Sequence, residues 1–266
     1  MNLEERLKET AQLIIQRRNV VAFSGAGVSA ESGVSTYRDK GGLWDRYPEG
    51  SSSGILGVLA NHPEDAPKIL SQFLSSFKNS KPNPGHLALA QLEQLGFLTH
   101  VITQNVDGLH KEAGNSIVYE LHGSLYRRRC LSCGKKEQIT KEELINSFEQ
   151  RLERISQQVG SGFALGPQCS CGGNTRGDFV SFGESVQDLP EAMDAAQNCN
   201  LMLVLGTSGV VYPAASLPRI AKNKGAVLIE INPKESDLTP LMDIFIQGKS
   251  GELLPRVIDI IKESIN

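Results

Sequence analysis

Apolar positions along the 266-residue chain follow two periods. Over residues 3–17, Leu3, Leu7, Ala11, Ile14 and Ile15 recur at helical spacing, which predicts an amphipathic first helix. The next run, Val20, Val21, Ala22 and Phe23, is short and unbroken, and predicts a strand over 19–23 covered on both faces. The apolar stretch at 98–102, IVYEL at 117–121, LMLVLG at 201–206 and VLIEIN at 227–232 predict four more strands. Helical spacing returns over about 85–95, stopped by Gly96 in the C′ position, then from Pro213 to Lys222 and over 251–264. Residues 63–77 carry Ile69, Leu70, Phe73, Leu74 and Phe77 and predict one or two short helices, ended by Pro82 and Pro84. The Gly- and Ser-rich segment 41–57, around Leu43, Trp44 and Tyr47, reads as a loop or lid.

Strands alternating with helices at both ends of the chain predict an α/β fold, a doubly wound parallel sheet. The stretch from Cys130 to Cys171 changes composition, supplies no strand of that sheet and looks inserted. Within it, Thr140 followed by Glu143 is a capping-box signature for a helix over about 141–157, and GSGFALGPQ reads as a flexible return.

Charge adds exclusions. A net charge of −3 with 21% charged residues fits a soluble globular protein, and nothing in that balance suggests a surface for nucleic acid or membrane. No apolar run approaches the roughly 20 residues of a membrane span. The charged N-terminal stretch lacks the apolar centre of a signal peptide, so a cytoplasmic location is expected.

Four of the five cysteines form two pairs, Cys130-x-x-Cys133 and Cys169-x-Cys171. They lie about thirty-five residues apart, and each can grip one metal ion from a tight turn closed by Gly134 or Gly172. Four thiolates in a tetrahedral array make a structural zinc site, one ion per chain, closed to substrate. Reduced core cysteines are the plain alternative. A redox pair fits less well, because no thioredoxin-like strand–helix pattern surrounds Cys130. Cys199 reads as an ordinary buried thiol.

The predicted strands end in polar clusters, and ligands of open parallel sheets bind at such ends. They are Ser24-Gly25-Ala26-Gly27, the segment Thr103-Gln104-Asn105-Val106-Asp107-Gly108-Leu109-His110, His122-Gly123, Gly206-Thr207-Ser208, and Asn232. Each has a plain reading as an Asx turn, a helix cap or a structural histidine. A purely structural sheet has no need of all five together.

In chain order these clusters resemble one family, the sirtuins, NAD-dependent protein deacylases. GAGVSAESGVSTYR is similar to the family's GAGxSxxSGIPxFR, and TQNVDGLH to TQNIDxLH. ELHGS carries its His-Gly; VSFGE, GTSGVVYPAA, EIN and GKSGELLP match further segments, and the cysteine pairs match its zinc module. The resemblance runs from about residue 19 to 257. It implies a Rossmann-type domain over 1–42, 86–127 and 178–266. It also implies a small domain made of a helical or lid insertion over 43–85 and a zinc module over 128–177. NAD and an acylated lysine peptide would meet in the cleft between them.

The resemblance also implies roles. Gly25, Ala26, Gly27, Gly206, Thr207 and Ser208 would lie along pyrophosphate and ribose, with Glu31, Tyr37 and Arg38 completing that side. Asn105 and Asp107 would line the nicotinamide pocket and take part in catalysis, with Gln104 at the nicotinamide ribose. Asn232, Ser250 and Gly251 would hold the adenosine end. Val180, Phe182, Gly183 and Glu184 would pair with the substrate backbone as an added strand. His122 would be the general base, a role that suits an imidazole of pKa about 6.5. Ser35 stands where the family usually has proline, Tyr37 where it has phenylalanine, and Gly177 where proline is common; none removes a catalytic group. The implied reaction releases nicotinamide and O-acyl-ADP-ribose. An NAD hydrolase or ADP-ribosyltransferase on the same fold, a catalytically silent sensor and an ordinary dehydrogenase are the alternatives. Residues 63–80 contain neither Tyr nor Arg, so the pair with which succinyl-preferring sirtuins hold their acid is missing. An unpaired buried carboxylate is costly, and acetyl or longer neutral acyl groups are expected. Substrate identity and oligomeric state stay open, a monomer being compatible with the sequence.

Overall fold

In the computed structural model, which describes residues 2–36, 38, 41–156 and 167–265, the apolar runs line up as one parallel sheet. Its strands are β1 (Val20–Ser24), β2 (Leu98–Thr103), β3 (Val118–Glu120), β7 (Leu201–Leu205), β8 (Val227–Asn232) and β9 (Ile244–Gln247). The order is β3-β2-β1-β7-β8-β9 and every pairing is parallel. Alternate residues of each strand serve opposite faces. Val20, Ala22, Leu201 and Leu203 pack on one side against α1 (Leu3–Arg17), α5 (Pro84–Gln94) and α10 (Ser250–Ile265). Val21, Phe23, Met202 and Val204 pack on the other against α8 (Leu189–Asn198) and α9 (Leu217–Asn223). This two-sided cover is why the strands read as continuous apolar runs. Full burial of Phe23 or Met202 is worth roughly 2–3 kcal/mol each relative to exposure.

The strand order reverses between β1 and β7, and a doubly wound sheet opens a crevice at that point. The Gly-rich turn after β1 and the Gly206-Thr207 turn after β7 both lie there.

A second sheet, β5-β4-β6, is antiparallel and built from β4 (Gly123–Cys130), β5 (Lys136–Gln138) and β6 (Thr175–Phe179). Beside it stand α4 (Ala66–Lys78) and α7 (Lys141–Ser156), sharing Phe77, Leu125 and Leu144 in a small core. The capping box expected for α7 is present: Glu143 N–H donates to Thr140 Oγ1 at 3.1 Å, and Thr140 N–H to Glu143 Oε2 at 2.7 Å.

Several elements differ from the sequence expectation. The 41–57 segment is helical, with α2 (Leu43–Arg46) and α3 (Gly50–Asn61). Gly54, at φ +70°, kinks α3, and Val58 and Leu59 bury against Ile69 and Leu70 of α4. Tertiary burial here overrides the weak helix propensity of Gly and Ser. The short helix α6 (Leu109–Ala113) and the strand β9 were not anticipated. Pro213 precedes a 3₁₀ turn, and α9 itself begins at Leu217. The return expected over 160–168 falls mostly outside the described residues.

Candidate active site

The crevice is lined by backbone brought into unusual proximity. Gly25 N–H donates to the Leu205 carbonyl at 3.0 Å, and Gly27 N–H to the Gly206 carbonyl at 2.8 Å. A Cβ on Gly27 would sit 2.8 Å from the Gly206 Cα, and one on Gly25 2.9 Å from the Gly206 oxygen. Glycine is therefore required for the two turns to meet. Such a side-chain-free cradle at the switch point suits the pyrophosphate of a dinucleotide. Ala26 continues the turn, and Ser208 lies exposed beyond Thr207.

The end of β2 closes one wall. Asn105 Nδ2 donates to the Gly25 carbonyl at 3.0 Å and to Ser29 Oγ at 3.1 Å. Ser29 Oγ donates to Asp107 Oδ2 at 2.6 Å, while Asp107 Oδ1 accepts the Leu109 N–H at 3.0 Å. Burial pushes the Asp107 carboxyl up, and those two hydrogen bonds act against it. His86 completes the cluster, with Nε2 3.4 Å from Ser29 Oγ and Nδ1 accepting the Asn83 N–H at 3.4 Å. Burial holds His86 down to about 4, so the ring is neutral and its Nε2–H donates to Ser29. The Ser29 hydroxyl thus accepts twice and donates once, and is saturated. On the far side of the turn, Ser24 Oγ bridges Thr103 Oγ1 and His110 Nε2, both at 2.9 Å.

His122 follows β3. Its Nδ1 lies 2.9 Å from the Gln104 carbonyl, an acceptor, so Nδ1 carries the proton and Nε2 presents the lone pair. Burial lowers its pKa, against a smaller opposing effect of that carbonyl. Gln104 Nε2 in turn donates to Thr207 Oγ1 at 2.9 Å, and Asn232 Nδ2 to the Thr207 carbonyl at 2.8 Å. The ends of β2, β7 and β8 and the His122 corner are thereby one hydrogen-bonded unit. Ser250 and Gly251 open α10 beside it, where Gly251 N–H donates to Glu31 Oε2 at 2.9 Å. Arg38 is exposed, and Tyr37 lies outside the described residues.

Residues 180–184 form a turn after β6, not a strand. Val180 N–H donates to the His122 carbonyl at 2.8 Å, Phe182 is half exposed, and Gly183 has φ +85°. Glu184 is paired with Arg176, and with Arg129 at 3.2 Å.

The four cysteines of the pairs meet at the far end of the small sheet. Cys130 and Cys171 Sγ are 3.6 Å apart and Cys133 and Cys169 Sγ 3.7 Å; all four sulfurs lie within 4.8 Å of one another. Tetrahedral zinc with bonds of about 2.3 Å sets its sulfurs about 3.8 Å apart, so the array fits a structural zinc ion. Gly134 and Gly172, at φ +72° and +80°, close the two turns as expected. Cys199 is buried, and burial pushes its thiol up to about 11.

Sequence reasoning assigned no role to His86 or Asn83. The signal was present: Asn83-Pro84 reads as a helix N-cap followed by N1, which puts His86 in the first turn of α5. Ser29 stood out only as one more small residue of the turn.

Comparison with known proteins agrees with this geometry. The profile of the Sir2 family matches residues 25–213. An NAD-dependent protein deacylase of Desulfosudis oleivorans is 44% identical, covering 99% of this chain and 98% of its own. A solved Sir2 homologue variant in complex with 2′-O-acetyl-ADP-ribose superposes with TM-score 0.78 at 38% identity, covering 97% of each chain. A Sir2 protein bound to a myristoylated histone peptide superposes with TM-score 0.73 at 31% identity, covering 98% of each. With its glycine cradle at the switch point, its saturated Asn105–Ser29–Asp107 cluster and this span of similarity, the chain belongs to the Sir2 family.

Proposed function

We propose that the protein is an NAD-dependent protein-lysine deacylase acting on neutral acyl groups, acetyl or longer. The observation that carries the reading is the His122 imidazole. Its Nδ1–H is spent on the Gln104 carbonyl, which leaves Nε2 as a base beside the strand ends that cradle a dinucleotide. NAD supplies, when bound, a glycosidic bond to a good leaving group and hence a ribose carbon open to attack by the acyl oxygen. Gly25, Ala26, Gly27, Gly206, Thr207 and Ser208 would hold its pyrophosphate and ribose, with Glu31 and Arg38 beside them. Asn232, Ser250 and Gly251 would hold the adenosine end. Asn105 and Asp107 would bind the nicotinamide carboxamide, their positions set by Ser29. His122 Nε2 would accept a proton from a ribose hydroxyl and later return one. Val180, Phe182, Gly183 and Glu184 would face the peptide. That such peptides and acyl-ADP-ribose products occur in related Sir2 structures supports the assignment.

We take residues 1–42, 86–127 and 178–266 as the nucleotide-binding unit, and 43–85 with 128–177 as the smaller one. The cytoplasm is the proposed location; no helix among the described residues is long and apolar enough to cross a membrane. Incubation with NAD and acetyl, myristoyl and succinyl peptides should yield nicotinamide and O-acyl-ADP-ribose in equal amounts, neutral acyl groups turning over faster than succinyl. His122→Ala should lower turnover by about 10²–10⁴-fold. Nicotinamide released equally fast without any peptide would overturn the reading in favour of NAD hydrolysis.

A further inference from the structure

The loop that leaves β6 and returns into α8 carries Val180 and Glu184, and both of its ends are fastened to two consecutive carbonyls. Val180 N–H donates to His122 C=O at 2.8 Å, and Gln187 N–H donates to Leu121 C=O at 2.9 Å. The Gln187 side chain closes the remaining gap. Its Nε2 donates to Asp178 Oδ1 at 3.0 Å. Its Oε1 accepts from Arg127 Nη2 at 3.0 Å and from Lys136 Nζ at 2.7 Å. Asp178 is fully buried and pairs with Arg127 at 2.6 Å and Lys136 at 3.1 Å. Against the pull of burial, these cations hold its carboxyl below the ordinary range.

The chemistry of the position is narrow. One planar group has to donate to a carboxylate and, from its other atom, accept from two cations. An amide does both; a carboxylate cannot donate, and an ammonium or guanidinium cannot accept. Glutamine also reaches where asparagine, one methylene shorter, would not.

We propose that Gln187 is a positioning residue. Its bond to Asp178 closes the 178–187 loop, and so fixes at once the peptide-facing segment and the backbone from which the His122 ring projects. The effect on turnover rests on the deacylase reading above; the effect on the His122 ring does not.

Two variants of the full chain test this. Gln187→Met keeps length and the backbone N–H but removes every side-chain hydrogen bond. Gln187→Glu keeps the acceptor for Arg127 and Lys136 but turns a carboxylate toward Asp178. Both should raise the KM for acyl peptide about tenfold, the scale of one lost hydrogen bond to a charged group, with a smaller change in the KM for NAD. Both should also shift the His122 ring resonances in isotope-labelled protein, at wild-type metal content. A role in stability alone predicts otherwise: Gln187→Glu, with its two cation contacts kept, would match the wild type in peptide KM. That result, or unmoved His122 resonances in both variants, overturns the proposal. Absence of acyl turnover in the wild type would overturn the deacylase reading, and the ring resonances would still decide the role of Gln187.

Discussion

At the scale of single residues, the site is organised by groups that cannot reverse their roles. His86 is neutral and donates from Nε2, so Ser29 is left one proton to give, and Asp107 takes it at 2.6 Å. His122 donates from Nδ1, so its basic atom is Nε2. Burial lowers the His122 pKa, which fixes the direction of its pH dependence. The base form, which the proposed role requires, forms as pH rises through a midpoint below the ordinary imidazole value of 6.5. The acidic limb of kcat/KM should therefore lie below pH 6.5, with a plateau above it. A pH–rate profile with its acidic midpoint above that value would contradict the buried, singly bonded ring described here. The side chains that set these roles were only partly legible. Asn105, Asp107 and His122 stand out in the sequence because polar residues directly after an apolar strand are conspicuous. Ser29 meets Asp107, and Gln187 meets Arg127 and Lys136, across dozens of residues with no local pattern to mark them, while His86 is marked only by the Asn83-Pro84 start of its helix.

Elements were legible where burial is two-sided. The runs that became β1 and β7 are apolar at nearly every position because helices cover both faces of the sheet, whereas β2 and β8 interleave Thr99, His100 and Glu230 with their apolar residues. The edge strand β9 has only three apolar residues in a row, Ile244, Phe245 and Ile246, between Asp243 and Gln247. The helix α3 was hidden by its own composition, since its fold depends on packing against α4 and not on propensity. The loop after β6 was expected to be a strand by resemblance, yet its first N–H is already taken by His122. At this scale the tightest demand falls on the meeting of the β1 and β7 turns. Gly27→Ala would place a methyl 2.8 Å from the Gly206 backbone and force the two strand ends apart. Overpacking of this kind costs about 1–3 kcal/mol. The variant should show a lower urea midpoint and weaker NAD binding by calorimetric titration.

Across the whole molecule, the parallel sheet and the small antiparallel sheet are joined where β4 leaves the His122 corner. Buried carboxylates mark the seam: Glu120 pairs with Lys111 at 2.6 Å and with Arg127 at 3.4 Å, and Arg127 reaches on to Asp178. The small sheet has little core of its own, and four cysteine sulfurs stand at its far end. Binding free energy of a structural metal is folding free energy for such a unit. Cys133→Ser, or prolonged chelation, should abolish the bound zinc and expose β4, β5 and β6 to amide exchange. The amides of β1, β7 and β8 should stay protected. Equal loss of protection in both sheets would show that the two do not fold as separable units. Strand β4 starts at the residue after His122 and finishes at Cys130, with Gly123 at φ +79° and an irregularity in its pairing with β6 between Ser124 and Arg128. A zinc–sulfur bond is about 2.3 Å. The ion thus anchors the Cys130 end of a strand whose other end adjoins His122, the proposed base, and swapping it for another thiolate-loving cation should alter the spectrum of the protein but not its reaction.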